Sequence, residues 1–476
     1  MKKKLKEQSF LQQWLTVVFL FSLMFIFSYP SYGQDWIDSN LSEAKIWIGG
    51  TSHGSKIYLA GGQLCNGVPT AKVEIYDART GQWDASHSLA VARGGPAVVA
   101  CGDKILFAGG MKYNASGANF YSVVEIFDTN NGWWTMAGLS VPRITTGVSN
   151  GSKAIFAGGL IDYEAGASNI FTTTNVVDIY DSANNSWTTD TLSEARDAFN
   201  AVVVGDLAII AGGFNGQKVT NKVDIYHFST GQWTTDTLSV ARGNMASTVV
   251  GTKAYFAGGV TQNNLNSNVI DIYDSENGDW EVEQLPFGRA FLGSINAATL
   301  NGKAYFVNGG DLNLFTSQWI GSGYNRVDIY DPSAPPGSRW SLDFVHCHFV
   351  NHTVVAIETD TISKLLVAGG TPCYNCGASV DILSKTETVF FDDQKVVYNI
   401  FPNPTNSHLN VNVTFQHKTD GVLTLFDITG KALIQQKFDV TTIDQRIDVS
   451  TYPPGVYMLE VRTDSGRIVE KVMVVE

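Results

Sequence analysis

The sequence predicts an all-β protein of radially repeated four-stranded sheets, followed by a small β domain. Three observations carry this. The 476-residue chain holds 46 Gly and 12% aromatic residues but only 16% charged residues, a balance that suits short packed strands joined by tight turns. A Gly pair closes a short apolar run seven times: Gly61-Gly62, Gly109-Gly110, Gly158-Gly159, Gly212-Gly213, Gly258-Gly259, Gly309-Gly310 and Gly369-Gly370. A second strand-like run such as VEIYD or VDIYD follows each pair, and a Trp follows that run at Trp83, Trp134, Trp187, Trp233, Trp280 and Trp340. Self-similarity at a spacing of 46 to 60 residues marks an array of like units, none of which buries its faces alone.

Composition sets outer bounds. The length allows two or three domains with cores of their own. An apolar content of 44% excludes a disordered chain. The formal net charge of −13 argues against a nucleic-acid binder, which needs a basic face to displace counterions. Five cysteines are too few for a disulfide scaffold.

Residues 1–33 read as a secretory signal peptide. Lys2, Lys3, Lys4 and Lys6 precede an apolar run from Leu15 to Phe27, and Pro30, Ser31 and Gly33 form a small-residue exit. The run is shorter than the roughly 20 residues a membrane span needs. Cleavage is expected between Gly33 and Gln34, leaving an exported chain with no transmembrane segment.

Within each repeat, one strand follows a conserved-spacing Arg, one ends at the Gly pair, one carries Tyr-Asp and one carries Trp. The Arg closes short Leu motifs: LAVAR, LSVPR, LSEAR, LSVAR and LPFGR, ending at Arg93, Arg143, Arg196, Arg242 and Arg289. Paired Gly let the backbone turn and approach a neighbour with no Cβ in the way. Tyr and Trp supply large area between adjacent sheets. Sheets repeated around an axis bury one another and protect their edges. The recurring Arg read as structural, bridging blades by hydrogen bonds and stacking.

This double Gly, Tyr and Trp pattern resembles the Kelch repeat. The resemblance implies a seven-bladed Kelch-type β-propeller over residues 34–396. Ring closure has two candidates. Trp36 with LSEAK (Leu41 to Lys45) matches the Trp strand and Leu motif of later repeats, and Leu41 to Gly62 spans 22 residues, as does Leu192 to Gly213. Alternatively Phe390 completes the last blade. Trp36 is favoured, because the other six blades use Trp at that place.

From Tyr398 the period stops. Short alternating strands with Gly and Pro turns over 397–476 predict a small Ig-like β-sandwich. The run FPNP (Phe401, Pro402, Asn403, Pro404), the turn DITGK with Gly430 and Lys431, PPGVY with Gly455 and Tyr457, and the final KVMVV resemble the type A sorting domain of the type IX secretion system of Bacteroidetes-type bacteria. Phe401 stands where most such domains carry Tyr. The resemblance implies engagement with the secretion machinery, export across the outer membrane, and release or attachment at the cell surface.

On a propeller of this order, the loops after the Gly pairs and the loops into each first strand share one face. The post-Gly-pair loops carry Tyr113, Phe120, Tyr121, Tyr163, Phe171, Phe214, Phe315, Trp319, Tyr324 and Tyr374, and aromatic loop residues suit sugar rings or peptide side chains. A second set lies two residues after the motif Arg or Lys: Trp47, Gly95, Thr145, Ala198, Asn244 and Phe291. The resemblance implies that these line a pocket. None is basic, which disfavours an acidic ligand.

The run VHCHFVNH holds His346, Cys347, His348 and His352, and Cys373 and Cys376 lie in the same blade's post-Gly-pair loop. Two His and two thiolates would make a Zn or Cu set. Two of Cys347, Cys373 and Cys376 joined in a disulfide is the alternative, which an exported setting favours. Cys65, in the equivalent loop of the first blade, is a further partner for such a bond. No cofactor is otherwise indicated. The functional expectation is a secreted or surface-attached module that binds a glycan or protein. The alternative is a carbohydrate-active enzyme, since Kelch propellers include a copper-dependent galactose oxidase and a sialic-acid epimerase, although no motif here matches theirs.

Overall fold

The computed structural model describes residues 36–475 except 115–116, 165–169, 292–295, 311, 314–317, 320–324, 347–350, 360–361, 371–376, 385–386, 392–393, 402, 404, 429–430 and 464–466. Every regular element among them is a strand. No helix among the described residues is long and apolar enough to cross a membrane.

The first sheet runs Gly49–His53, Lys56–Ala60, Lys72–Asp77, Gln82–Ser88, each strand antiparallel to the next. Six four-stranded sheets and one six-stranded sheet follow this plan among the described residues. Their first strands neighbour one another in a cycle: Gly49–His53, Ala97–Cys101, Ile144–Ser149, Asn200–Val204, Ala246–Val250, Ala297–Leu300, Thr353–Glu358, and back to Gly49–His53. A closed cycle of twisted sheets around an axis is a β-propeller. We number the sheets in that order.

The second and third strands are buried on both faces, because each sheet is covered by its neighbours. In Leu207–Ala211 every residue is buried, and in Lys222–His227 the run Val223 to Tyr226 is buried. Burial on both sides explains why these strands read as continuous apolar runs. The Tyr-Asp and Trp strands meet in register: Tyr76 faces Trp83, Tyr180 faces Trp187, Tyr226 faces Trp233, Tyr273 faces Trp280 and Tyr330 faces Trp340. The Tyr226 and Trp233 rings stand 5.0 Å apart and tilted, a geometry that adds about 1 kcal/mol beyond area burial.

The Gly pairs link consecutive sheets. The second Gly donates its N–H to the carbonyl of the next motif cation, as in Gly62 to Arg93 (3.0 Å), Gly110 to Arg143 (2.9 Å) and Gly159 to Arg196 (2.9 Å). Gly159 has φ 115°, and a Cβ there would lie 1.8 Å from the Ile144 carbonyl oxygen. Only Gly fits such a place.

The ring closes through the N-terminus. Trp36–Asn40 pairs with Ser379–Ser384 as the outer strand of the seventh sheet, with Trp36 opposite Leu383 and Asp38 opposite Asp381. Phe390 belongs elsewhere: Glu387–Phe391 pairs with Gln394–Phe401 in the C-terminal sheet. That hairpin spans the 396/397 boundary expected from the sequence.

The C-terminal strands form one six-stranded sheet. His408–Asp427 and Ala432–Asp448 are 20 and 17 residues long. The first half of His408–Asp427 pairs with Gln394–Phe401 and the second half with Gly455–Thr463, with an irregularity between Thr414 and Thr419. One strand thus serves two layers, and the sheet curls over a core that includes Leu409, Val411, Val413, Leu425, Leu459 and Val461. A bulge bends a long strand in this way.

Candidate functional site

The motif cations lie inside the sheets. Lys45, Arg93, Arg143, Arg196, Arg242 and Arg289 are all 0% exposed. Each meets a buried acid on the third strand of its own sheet: Lys45–Glu74 (2.5 Å), Arg93–Glu125 (2.6 Å), Arg143–Asp178 (2.8 Å), Arg196–Asp224 (2.6 Å), Arg242–Asp271 (2.5 Å) and Arg289–Asp328. The Arg also donates to a second-strand carbonyl, as in Arg196 to Ile210 (3.1 Å) and Arg242 to Phe256 (3.0 Å). Burial lowers the pKa of Arg93, Arg143, Arg196 and Arg242, and the facing carboxylate opposes that shift. The guanidinium side chains therefore hold their own sheets, while the main-chain N–H and carbonyl groups of these Arg bridge to the preceding sheet, as in Arg93 N–H to Thr70 O (3.3 Å) and Gly62 N–H to Arg93 O (3.0 Å).

The residues two positions after these cations form a belt. Trp47, Gly95, Ala198 and Asn244 have positive φ of 51° to 62°. Their backbones bond across sheets: Gly95 N–H to Trp47 O (2.9 Å), Asn244 to Ala198 (2.8 Å), Phe291 to Asn244 (2.9 Å) and Trp47 to Asn351 (3.1 Å). Asn351, with φ 58°, is the belt member that sequence reading missed, because no motif cation precedes it. Phe291 is 1% exposed and stacks under the Arg289 guanidinium at 4.9 Å. So enclosed a ring offers no surface to a ligand. Thr145 instead donates to the Ala157 carbonyl (2.8 Å).

Trp47 begins an aromatic run over the loop face. Its ring lies 5.3 Å from Tyr113; Tyr113 meets Tyr163 edge-on at 5.9 Å; Tyr163 stacks on Phe171 at 5.2 Å; Phe171 meets Phe214 edge-on at 6.5 Å. All five are half-buried. The sequence explains the wall that holds them. Met111–Asn114 and Gly117–Phe120 form a hairpin beyond the second sheet, and Lys153–Glu164 and Ile170–Asp181, each 12 residues long, extend the third. Gly117 pairs with Glu164 and joins the two hairpins. Trp47 and Tyr113 also line a small crevice with Gln63, Pro69 and Met111.

Asp197 adds an acid beside this run. It bridges Phe214 through paired backbone bonds, Asp197 N–H to Phe214 O (2.8 Å) and the reverse (2.7 Å). Burial pushes its carboxyl up to about 6, partly offset by the Ala198 N–H. Burial likewise pushes the Tyr113 hydroxyl up to about 12, with the Tyr163 and Asp197 charges adding to the effect.

The other sequence candidates are placed as follows. Asn244 is half-buried in the belt. The Phe315, Trp319, Tyr324 and Tyr374 side chains lie outside the described residues, as do Cys347, His348, Cys373 and Cys376. His352 is 1% exposed. His346 meets Asp381 and, at 2.7 Å, Asp38. The hydrogen bond with Asp381 raises its pKa, burial opposes this, and both carboxylate charges reinforce it. Cys65 is disulfide-bonded and Cys101 is free and buried.

In the tail, Asn403 Oδ1 accepts the Met473 N–H (2.8 Å), and the Tyr457 hydroxyl donates to the Pro453 carbonyl (2.7 Å). Asp427 Oδ1 accepts the Lys431 N–H (3.1 Å), closing that turn. Phe401 is half-buried, Lys431 and Gly455 are exposed, and Pro402, Pro404 and Gly430 lie outside the described residues.

Two families match parts of the chain. Residues 399–475 match the secretion system C-terminal sorting domain. Residues 195–235, from the edge of Arg196 to the outer strand of the fourth sheet, match the Kelch motif. No curated protein matches the chain. The sorting tail implies engagement with the type IX secretion machinery, and secretion or surface attachment in a Bacteroidetes-type bacterium.

Proposed function

We propose that this secreted Kelch-repeat protein is a binding module that grips a glycan on the aromatic loop face of its first four sheets. The observation that supports this is the contiguous run Trp47, Tyr113, Tyr163, Phe171 and Phe214. Pyranose rings present apolar C–H faces, and half-exposed aromatic rings offer them a flat, weakly polar platform. The Asp197 carboxyl and the Tyr113 hydroxyl add polar groups beside that platform, which suits the hydroxyl rim of a sugar. The sorting tail delivers the propeller to the cell exterior, where such polymers are met. The signal peptide over 1–33 is the matching inner-membrane address.

The test is a glycan array with the full-length protein, followed by calorimetry on any hit with Tyr113→Ala and Phe171→Ala. Loss of affinity by about tenfold or more in each variant is expected for stacking anchors. Unchanged affinity in both would place the ligand elsewhere and overturn the reading.

A further inference from the structure

Six sheets neutralise a buried third-strand acid with a motif Lys or Arg, and the seventh shows no such Lys or Arg among the described residues. Val345 donates its N–H to Asn325 (2.9 Å), as Leu285 does to Asn268 (2.7 Å) and Leu238 to Asn221 (2.8 Å). Trp47 bonding to Asn351 fixes the same register from the other side. Four residues on from Val345, the sequence offset of Arg289 from Leu285, stands Phe349, which carries no charge. Yet Asp381 holds the acid's place and is 1% exposed.

The closing strand adds a second acid. The outer-strand residue facing the buried acid is Met136, Thr189, Thr235, Val282 or Leu342 in the second to sixth sheets, and Asp38 in the seventh. His346 Nδ1 is within reach of both Asp38 Oδ1 (2.7 Å) and Asp381 Oδ1. One imidazole N–H satisfies only one carboxylate at a time. Asp381 Oδ2 is buried and has no hydrogen-bond partner among the described residues. The three ligand atoms lie within 4.8 Å of one another, close enough for one ion to reach all three.

We propose that Asp38, His346 and Asp381 hold a divalent transition-metal cation that fastens the N-terminal strand to the seventh sheet. Two carboxylates and a neutral imidazole carry two negative charges, which a divalent ion cancels. One imidazole and two carboxylates suit Zn²⁺ or Mn²⁺, whereas Ca²⁺ asks for six to eight oxygens. The Asp38 side chain is 70% exposed, so water completes the shell from that side. The ion does for the seventh sheet what Lys or Arg does for the other six. The site is independent of the glycan reading.

The test uses the full-length protein, stripped with a chelator and dialysed against Zn²⁺ or Mn²⁺ alone. Metal analysis should find one ion per chain, and thermal unfolding should shift upward by several degrees on loading. Asp38→Asn and His346→Gln should each bind the ion at least about tenfold more weakly. Asp38 is exposed on an outer strand, so Asp38→Asn decides the matter if His346→Gln fails to fold. No retained metal in the wild-type protein, or equal retention in a folded Asp38→Asn variant, overturns the site.

Discussion

Trp36 stands directly opposite Leu383, and its indole Nε1 donates to Asp343 Oδ2 of the sixth sheet at 2.9 Å. On the other side, Ser39 of the same strand accepts the Trp83 indole N–H of the first sheet, also at 2.9 Å. The N-terminal strand is therefore held by three sheets at once. Trp36→Ala removes a buried aromatic and an inter-sheet hydrogen bond, and should cost about 3–5 kcal/mol. Denaturant unfolding checks this. A loss below about 1 kcal/mol would show that the closing strand lies outside the cooperative unit.

Arg196 and Asp224 form a fully enclosed ion pair. Arg196→Ala leaves an uncompensated buried carboxylate and should destabilise the protein by about 3–5 kcal/mol. The double variant Arg196→Met, Asp224→Leu removes both charges and should recover much of that loss. Equal stability of single and double variants in urea would show that packing, not charge, governs the site.

Asp197 has a folded pKa of about 6 against an ordinary 3.8. A raised pKa means that folding favours the protonated form. Its contribution is present in full below 3.8 and is lost as pH rises through about 6. Asp197→Asn should match the wild type in stability near pH 4 and exceed it at pH 8 by roughly 2–3 kcal/mol. Melting curves across that range check the sign. A difference that does not change with pH contradicts the assignment.

Trp47 holds a large side chain at φ 54°, a backbone region that strains most residues by about 1–3 kcal/mol. Trp47→Gly relieves that strain while removing the ring beside Tyr113. Stability should change little, and glycan affinity should fall by about tenfold. Parallel melting and binding measurements separate the two effects. A variant that binds as tightly as the wild type removes Trp47 from the binding face.

Much of the ring was legible because its causes are local. The Gly pairs, the Tyr-Trp pairing and the Trp36 closure follow from short spacings that recur, and each spacing answers to a strand length or a turn. Tyr113, Tyr163, Phe171 and Phe214 were legible as aromatics of the loops after the Gly pairs. Their order was not, because it depends on Gly117 meeting Glu164 between two hairpins. Phe291 was misleading for a physical reason: it shares the belt offset, but without the positive φ that its belt neighbours Asn244 and Ala198 adopt. His346 was read with neighbouring Cys and His. Two of its partners, Asp38 and Asp381, come from opposite ends of the ring, a distance that no local pattern encodes.

The closing strand also sets an order of events. The seventh sheet needs Trp36–Asn40 and Ser379–Ser384 together, so it is finished only when nearly the whole ring has left the ribosome or the export channel. Until then the last sheet presents an open edge to any passing strand. Contacts so remote in sequence form slowly, since a long loop must close before they reward it. A chain stalled before residue 384, or a bulky group fused just ahead of Trp36, should accumulate as a ring with one slot open. In such a species the edge is available to a second molecule, and exchange of the first strand between two chains becomes the natural route to a dimer.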